Sequence, residues 1–330
     1  MEQLNDVELN DVQVSDVQAR SIEKMSEQPL LANTSGSLPG LKEEDVETSF
    51  GAVHVATHGN RSKPAILTFH DIGLNHVSQF QGFFSYIDME PLLKHFCVYH
   101  VNAPGQELGG NTRPATSVYP TMDEISETLL DVMNHFGLKR FIGFGVGAGA
   151  NIIARFALNF PEKVDALFFI NCISTQAGWM EWGYQKVSSF HLRGNRVTKF
   201  TEDYLLWHHF GKKTLEVNHD LVHVYKESML KNINPVNLAS FIETYIKRTD
   251  LGIKREMDPE KKKITPQFKC PVMVISGASS PHINETIVVP SLSLTSLTKN
   301  RSRASSVTSA GSAASSSQDT IESLKEQPVC

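Results

Sequence analysis

The sequence is poor in the features that would place it in several large protein classes. Four cysteines in 330 residues (Cys97, Cys172, Cys270 and Cys330) are too few and too widely spaced for a disulfide framework or a zinc site. Three of them lie in apolar, strand-like runs, where a cysteine packs as a small hydrophobe. That usage fits a reduced, cytoplasmic protein. No apolar run approaches the roughly 18 residues that suggest a membrane-spanning helix. The acidic start lacks the apolar region of a signal peptide, and a cysteine in last position is not a prenylation signal. Charge of one sign is also scarce, with a formal net charge of −5. Residues 1–45 hold ten acidic and three basic side chains, so the remainder is close to neutral. It has no broad basic field of the kind nucleic-acid binding needs.

Both ends are short of large apolar side chains. In residues 1–45 the pairs Asp6-Val7, Asp11-Val12 and Asp16-Val17 recur every five residues, which matches neither a helix nor a strand. This stretch is expected to be a disordered acidic arm. Residues 291–330 read as a disordered, Ser-rich tail, with eleven serines between 291 and 317. Within it Arg301-Ser302-Arg303-Ala304-Ser305-Ser306 gives the pattern R-x-R-x-x-S. That pattern suits kinases with acidic substrate clefts. It predicts phosphorylation at Ser306, which would add about −1.5 to −2 charge.

Between the tails the chain alternates. Residues 46–173 form the first part of an α/β core. Val46 to Phe50 and Ala52 to Thr57 predict a hairpin, Pro64 to Phe69 a third strand and Phe96 to Val101 a fourth. Thr121 and Glu124 form a capping box. It opens a helix with Ile125, Leu129, Val132, Met133 and Phe136 on its apolar face and Gly137 at its end. Arg140 to Phe144 and Asp165 to Asn171 predict buried strands. Strands alternating with helices imply a mostly parallel sheet flanked by helices. Residues 174–252 hold all three tryptophans and read as helices alone, a helical cap insertion. Residues 253–290 hold a charged, basic linker and a resumed core strand from Cys270 to Gly277.

The most informative stretch is Gly143-Phe144-Gly145-Val146-Gly147, between a strand and a helix. This is the setting of the G-x-S-x-G nucleophile elbow of α/β-hydrolases. Read that way, Gly145 takes the nucleophile position, and glycine has no atom to attack a carbonyl. The acid is expected after Gly277, where Ala278-Ser279-Ser280-Pro281 carries no carboxylate. The base should follow a last strand that is absent, and His282 is the only histidine beyond residue 223. No catalytic residue is therefore assigned. His70-Asp71-Ile72-Gly73 fills the loop that usually gives one oxyanion-hole N–H, with Val146 giving the other. His70, Asp71, Gly73, Gly145 and Val146 are then either a vestigial ligand pocket or, more plainly, residues that serve the turn.

Other readings compete. Gly145 to Ala150 also fits the dinucleotide pattern G-x-G-x-x-A. However, Asp165 precedes its strand, whereas a ribose-binding acid belongs at the strand's carboxyl end. No cofactor is expected. His70 and His76 could be imagined as a metal pair, but without an evident third ligand no metal is assigned. Trp179, Trp182, Tyr184 and Trp207 could form a partner patch, although packing onto the sheet is the plainer expectation. Lys261-Lys262-Lys263 could meet anionic lipid, which leaves peripheral membrane association open. Glu256, Asp258 and Glu260 beside it favour a solvated face.

Taken together, the segments resemble the N-myc downstream-regulated family. The matching words are Thr68-Phe69-His70-Asp71-Ile72-Gly73-Leu74-Asn75-His76, Val101 to Glu107, Gly143 to Asn151 and Gly178-Trp179-Met180-Glu181-Trp182. The resemblance covers about residues 40–289. It implies a non-catalytic α/β-hydrolase-like fold acting with protein partners in cytoplasmic growth, differentiation or stress signalling, with a phosphorylated tail. Near Val289 the chain departs from the family pattern. It resembles a C-terminally shortened splice form that lacks the final strand, with Thr286-Ile287-Val288-Val289 the only candidate to fill its place. Two alternatives remain: a hydrolase or lyase using His70, Asp71 and Asn75, and a small-molecule sensor using the same pocket.

Overall fold

Residues 40–114, 116–253, 260 and 265–287 are described by the computed structural model. Seven strands form one sheet: β1 Leu41–Val46, β2 Val53–His58, β3 Ala65–Phe69, β4 Cys97–Val101, β5 Phe141–Val146, β6 Val164–Ile170 and β7 Val272–Ile275. Their order is β1-β2-β4-β3-β5-β6-β7. β2 pairs antiparallel with β1 and β4, and every pair from β4 through β7 is parallel. β3 and β4 are buried along their whole length, as helices on both faces of a parallel sheet require. This is the expected α/β architecture.

Three expectations need correction. The hairpin begins earlier than predicted, since β1 comprises Leu-Lys-Glu-Glu-Asp-Val and pairs Leu41 with His58 and Val46 with Val53. Residues 41–45 read as part of the acidic arm in the sequence because most of them are charged. An edge strand tolerates charge on its open side, and charge there discourages pairing with another chain. Secondly, β5 runs two residues further than expected, through Gly145 and Val146. Gly145 pairs with Phe69 on one side and Phe169 on the other. Thirdly, Thr286 and Ile287 belong to a short helix, Ile283–Ile287, and not to a replacement strand. Among the described residues no strand follows β7, whose Met273 and Ile275 are exposed.

The helix Met122–Phe136 matches its sequence signals. Glu124 N–H donates to Thr121 Oγ1 at 3.2 Å, and Thr121 N–H donates to Glu124 Oε2 at 2.7 Å. Gly137 closes the helix at φ 66°. Its buried face packs beside Ala148–Asn159, a helix buried from Ala148 to Ala157. Arg155 joins the two helices, donating to Asp123 at 2.7 Å and to Asn151 at 2.9 Å.

Among the described residues, the helices with defined bounds between β6 and β7 are Trp179–Arg193, Lys199–His209, Lys212–Val217, His219–Asn232 and Pro235–Ile246. Two side chains pin them to the sheet layer. Asn237 donates to the Gly105 and Asn111 carbonyls and accepts from Arg113 N–H, at 2.8–2.9 Å. Buried Arg248 holds Glu181 through two hydrogen bonds and donates to the Thr175 carbonyl. The aromatic residues do not pack onto the sheet as expected. Trp179 is 83% exposed, and Trp182, Tyr184 and Trp207 are also exposed. The helix Trp179–Arg193 buries Gln185, Ser188, Ser189 and Leu192 instead. These positions lie on one face at helical spacing, so the small and polar stripe faces inward and the aromatic side faces out. Ser306, the 291–330 tail and Lys261-Lys262-Lys263 lie outside the described residues.

Candidate functional site

The strand-to-helix turn after β5 is centred on Gly147, not on Gly145. Gly147 has φ 52° and ψ −115°, a region open to glycine and costly for other residues unless the fold enforces it. The elbow is therefore Gly145-Val146-Gly147-Ala148-Gly149, and Gly147 holds the nucleophile position. The flanking glycines follow from close packing. A Cβ at Gly145 would press on the Ala150 backbone, and one at Gly149 would overlap the Phe69 carbonyl. Residue 145 is thus an inaccessible strand position, and Val146 supplies no oxyanion-hole N–H because the turn lies one residue beyond it.

A Cβ at Gly147 would overlap the carboxylate of Asp71. That carboxylate thus occupies the space of the missing nucleophile side chain. Its Oδ1 accepts the Ile72 and Ala148 N–H groups, each at 2.8 Å. These two donors, one from the loop after β3 and one from the residue after the elbow centre, are the pair an oxyanion hole uses. Here an internal carboxylate saturates both.

The loop geometry explains why Asp71 arrives there. Leu74 N–H donates to the Asp71 carbonyl, and Gly73 sits at φ 72°. This is a type II turn with glycine at its third position. A Cβ at Gly73 would crowd Leu205 Cδ2 at 3.1 Å. His70 fixes the other side of the loop. Its Nδ1–H donates to the Asp71 carbonyl at 2.8 Å, while its Nε2 accepts Ala103 N–H at 2.9 Å. Both ring nitrogens are used, so His70 is a neutral tautomer, and burial lowers its pKa to about 4. His76 is committed elsewhere, to Asn102 and Glu43. With both His70 ring nitrogens taken, the imagined His70–His76 metal pair is not formed. Asn75 Oδ1 accepts the Ser78 N–H at 3.0 Å.

Asp71 gains partners that the sequence did not reveal. His208 Nε2–H donates to Asp71 Oδ2 at 3.0 Å, and His208 Nδ1 lies 3.0 Å from His282 Nε2. His209 Nδ1 stands 3.6 Å from the same Oδ2, and its Nε2–H donates to the Ile72 carbonyl at 2.9 Å. Both histidines end the helix Lys199–His209, whose C-terminal dipole end favours positive charge. Burial alone would raise the Asp71 pKa. The neighbouring His208, its hydrogen bond, His209 and the Ala148 N–H outweigh burial and hold the carboxyl well below its usual range. Burial lowers the pKa of His209 to about 4 and, with His208 adjacent, that of His282 to about 3. The site is an ionised carboxylate locked by two backbone donors and a histidine, with a second histidine behind the first.

A His-His pair at a helix end carries no distinctive spacing, and 137 residues separate His208 from Asp71. The only available signal was that His282 is a lone histidine beyond residue 223. Its reach to Asp71 through His208 depends on the cap.

Comparison with known proteins gives the fold and the family of the chain. Solved structures with the same fold include a hydrolase from Pseudomonas aeruginosa (TM-score 0.57, 18% identity, 75% of this chain and 85% of that one). A thermophilic esterase from Thermogutta terrifontis is similar at TM-score 0.58 and 16% identity, over 76% of this chain and 87% of the other. At these identities the likeness shows the α/β-hydrolase fold alone. Among relatives, Protein NDRG1 of Xenopus tropicalis is 39% identical over 267 residues, covering 79% of this chain and 65% of its own length. Protein NDRG3 of the same species is 41% identical over 248 residues, covering 74% of this chain and 62% of its own length. The chain thus spans somewhat less than two thirds of the length of these relatives. The model of the Ndr family matches residues 43–323, and the chain belongs to that family.

Proposed function

We propose that this protein is a non-catalytic member of the α/β-hydrolase fold. It works as a cytoplasmic signalling or scaffold component through protein partners, under control of tail phosphorylation at Ser306. The observation that carries the reading is Asp71. Acyl transfer on this fold needs a nucleophile at the elbow and two free N–H donors for the developing oxyanion. Gly147 offers no nucleophile. Asp71 Oδ1 already holds both donors at 2.8 Å, and its negative charge opposes a second anion there. A carboxylate held so far below its ordinary pKa is also a weak base and a weak nucleophile. The outward aromatic face of Trp179, Met180 and Phe190 supports a role in protein contacts, since large apolar side chains grouped on a surface mark interaction sites.

The test is turnover across a panel of esters, amides and lactones, using a preparation that melts cooperatively. The reading expects no rate above that of heat-denatured protein. Turnover that disappears in a folded Asp71→Ala variant would overturn it and would make the Asp71–His208–His282 chain an enzymatic site.

A further inference from the structure

We propose that Asp71, His208 and His209 form a binding site for a divalent transition-metal ion of the zinc type. Their ligand atoms lie within 4.8 Å of one another. Asp71 Oδ2 is 3.0 Å from His208 Nε2 and 3.6 Å from His209 Nδ1. Tetrahedral zinc, with ligands at about 2.0–2.2 Å, requires ligand atoms roughly 3.3 Å apart. The two separations from Asp71 bracket that value, and the third, between the two histidines, is within 4.8 Å.

The hydrogen bonds around His209 supply the second observation. Its Nε2–H donates to the Ile72 carbonyl, which leaves Nδ1 as the ring atom able to coordinate. Nδ1 stands 3.6 Å from Asp71 Oδ2, on a side chain only 8% exposed. Two buried ligand atoms too far apart to hydrogen-bond each other are spaced for a shared cation.

Each ligand is also oriented from behind, as metal ligands generally are. Asp71 Oδ1 is held by the Ile72 and Ala148 N–H groups. His209 is held by the Ile72 carbonyl, and His208 Nδ1 by His282 Nε2. Coordination through His208 Nε2 sends the proton on that nitrogen to solvent, the His282 Nε2 proton passes to His208 Nδ1, and His282 Nδ1 takes one proton back from solvent, so both rings stay neutral and His208 Nδ1–H donates to His282. Three protein ligands leave one position for water. Oδ1 stays on the two backbone donors, so the metal would hold Asp71 over Gly147. The site depends on these side-chain positions and not on whether the protein turns over a substrate.

Cobalt(II) is the probe, added to the full-length protein and read by its visible absorption and by titration calorimetry. One ion per chain with a tetrahedral spectrum is expected. His209→Ala should weaken binding by more than the roughly 10- to 100-fold typical of an outer partner. His282→Ala, which removes only an outer partner, should weaken it within that range. Both variants are first checked for cooperative melting without metal. Should His209→Ala fold poorly, His208→Gln takes its place, with the same expected loss. No binding, or binding that neither the His209 nor the His208 variant changes, would overturn the proposal and assign any cobalt to histidines elsewhere.

Discussion

The carboxylate of Asp71 stands where a side chain on Gly147 would stand. Loop and elbow come from different parts of the chain, yet they converge on one volume and one pair of N–H donors. Loss of the nucleophile and closure of the oxyanion hole are therefore one structural event. A side chain at 147 and the observed Asp71 position exclude each other.

Asp71→Ala leaves the Ile72, Ala148 and His208 N–H donors without their acceptor. Each buried donor left unsatisfied costs about 1–3 kcal/mol, so the three together cost about 3 kcal/mol or more. Chemical denaturation should show a loss of that size. A loss under about 1 kcal/mol would mean that the carboxylate is not the anchor described here.

Stability should fall with acid well before the carboxylates titrate. His70 and His209 titrate near 4 when folded, against an ordinary 6.5, and His282 near 3. Between these values the unfolded chain binds protons that the folded chain refuses, so acid favours unfolding. The contribution is complete above pH 6.5 and is lost as pH falls towards 4. Asp71 adds its own loss only below 3.8, its unfolded value. Melting temperature measured across this range should decline steadily from pH 6.5 downward. A flat profile to pH 4.5 would contradict buried, neutral histidines.

Trp179→Ala should leave stability within about 0.5 kcal/mol of the parent, as for surface positions generally. The ring is 83% exposed and touches chiefly Trp182, stacked at 5.7 Å. Thermal unfolding of the variant checks this, and a large loss would return the residue to the core.

Asn237→Ala removes three hydrogen bonds that hold the insertion to the loop after β4. Leaving a buried polar group unsatisfied costs about 1–3 kcal/mol. The expected loss lies in or above that range, with faster hydrogen exchange at Arg113 N–H. Unchanged exchange there would show that the bond is dispensable.

Much of the sheet was legible because apolar runs and helix caps have a local cause. Thr121, Glu124 and Gly137 fix both ends of one helix by side chains and φ alone. β1 was not legible, because a charged edge strand looks like a polar tail until it pairs. The elbow was placed two residues early for a definite reason. Glycines at 143, 145, 147 and 149 repeat every second position, and the first two and the last are each demanded by close packing. Only the φ and ψ of Gly147 show which glycine makes the turn. The aromatic residues of Trp179–Arg193 misled because apolar side chains are expected inward. Here the buried positions are mostly small or polar, and Pro235–Ile246 packs against this helix. His208 and His209 reach Asp71 only through the fold of the insertion.

The central claim, that Asp71 has taken the volume of the nucleophile, is tested most directly by a double-mutant cycle between positions 71 and 147. Gly147→Ser alone should destabilise strongly, because its Cβ meets the carboxylate, beyond the roughly 1–3 kcal/mol of a non-glycine residue in this conformation. In the Asp71→Ala background the collision is gone and only the conformational cost remains. The account predicts that the double variant is more stable than the sum of the single losses allows, by at least about 1 kcal/mol. Additive losses, with no coupling between the two positions, would contradict it.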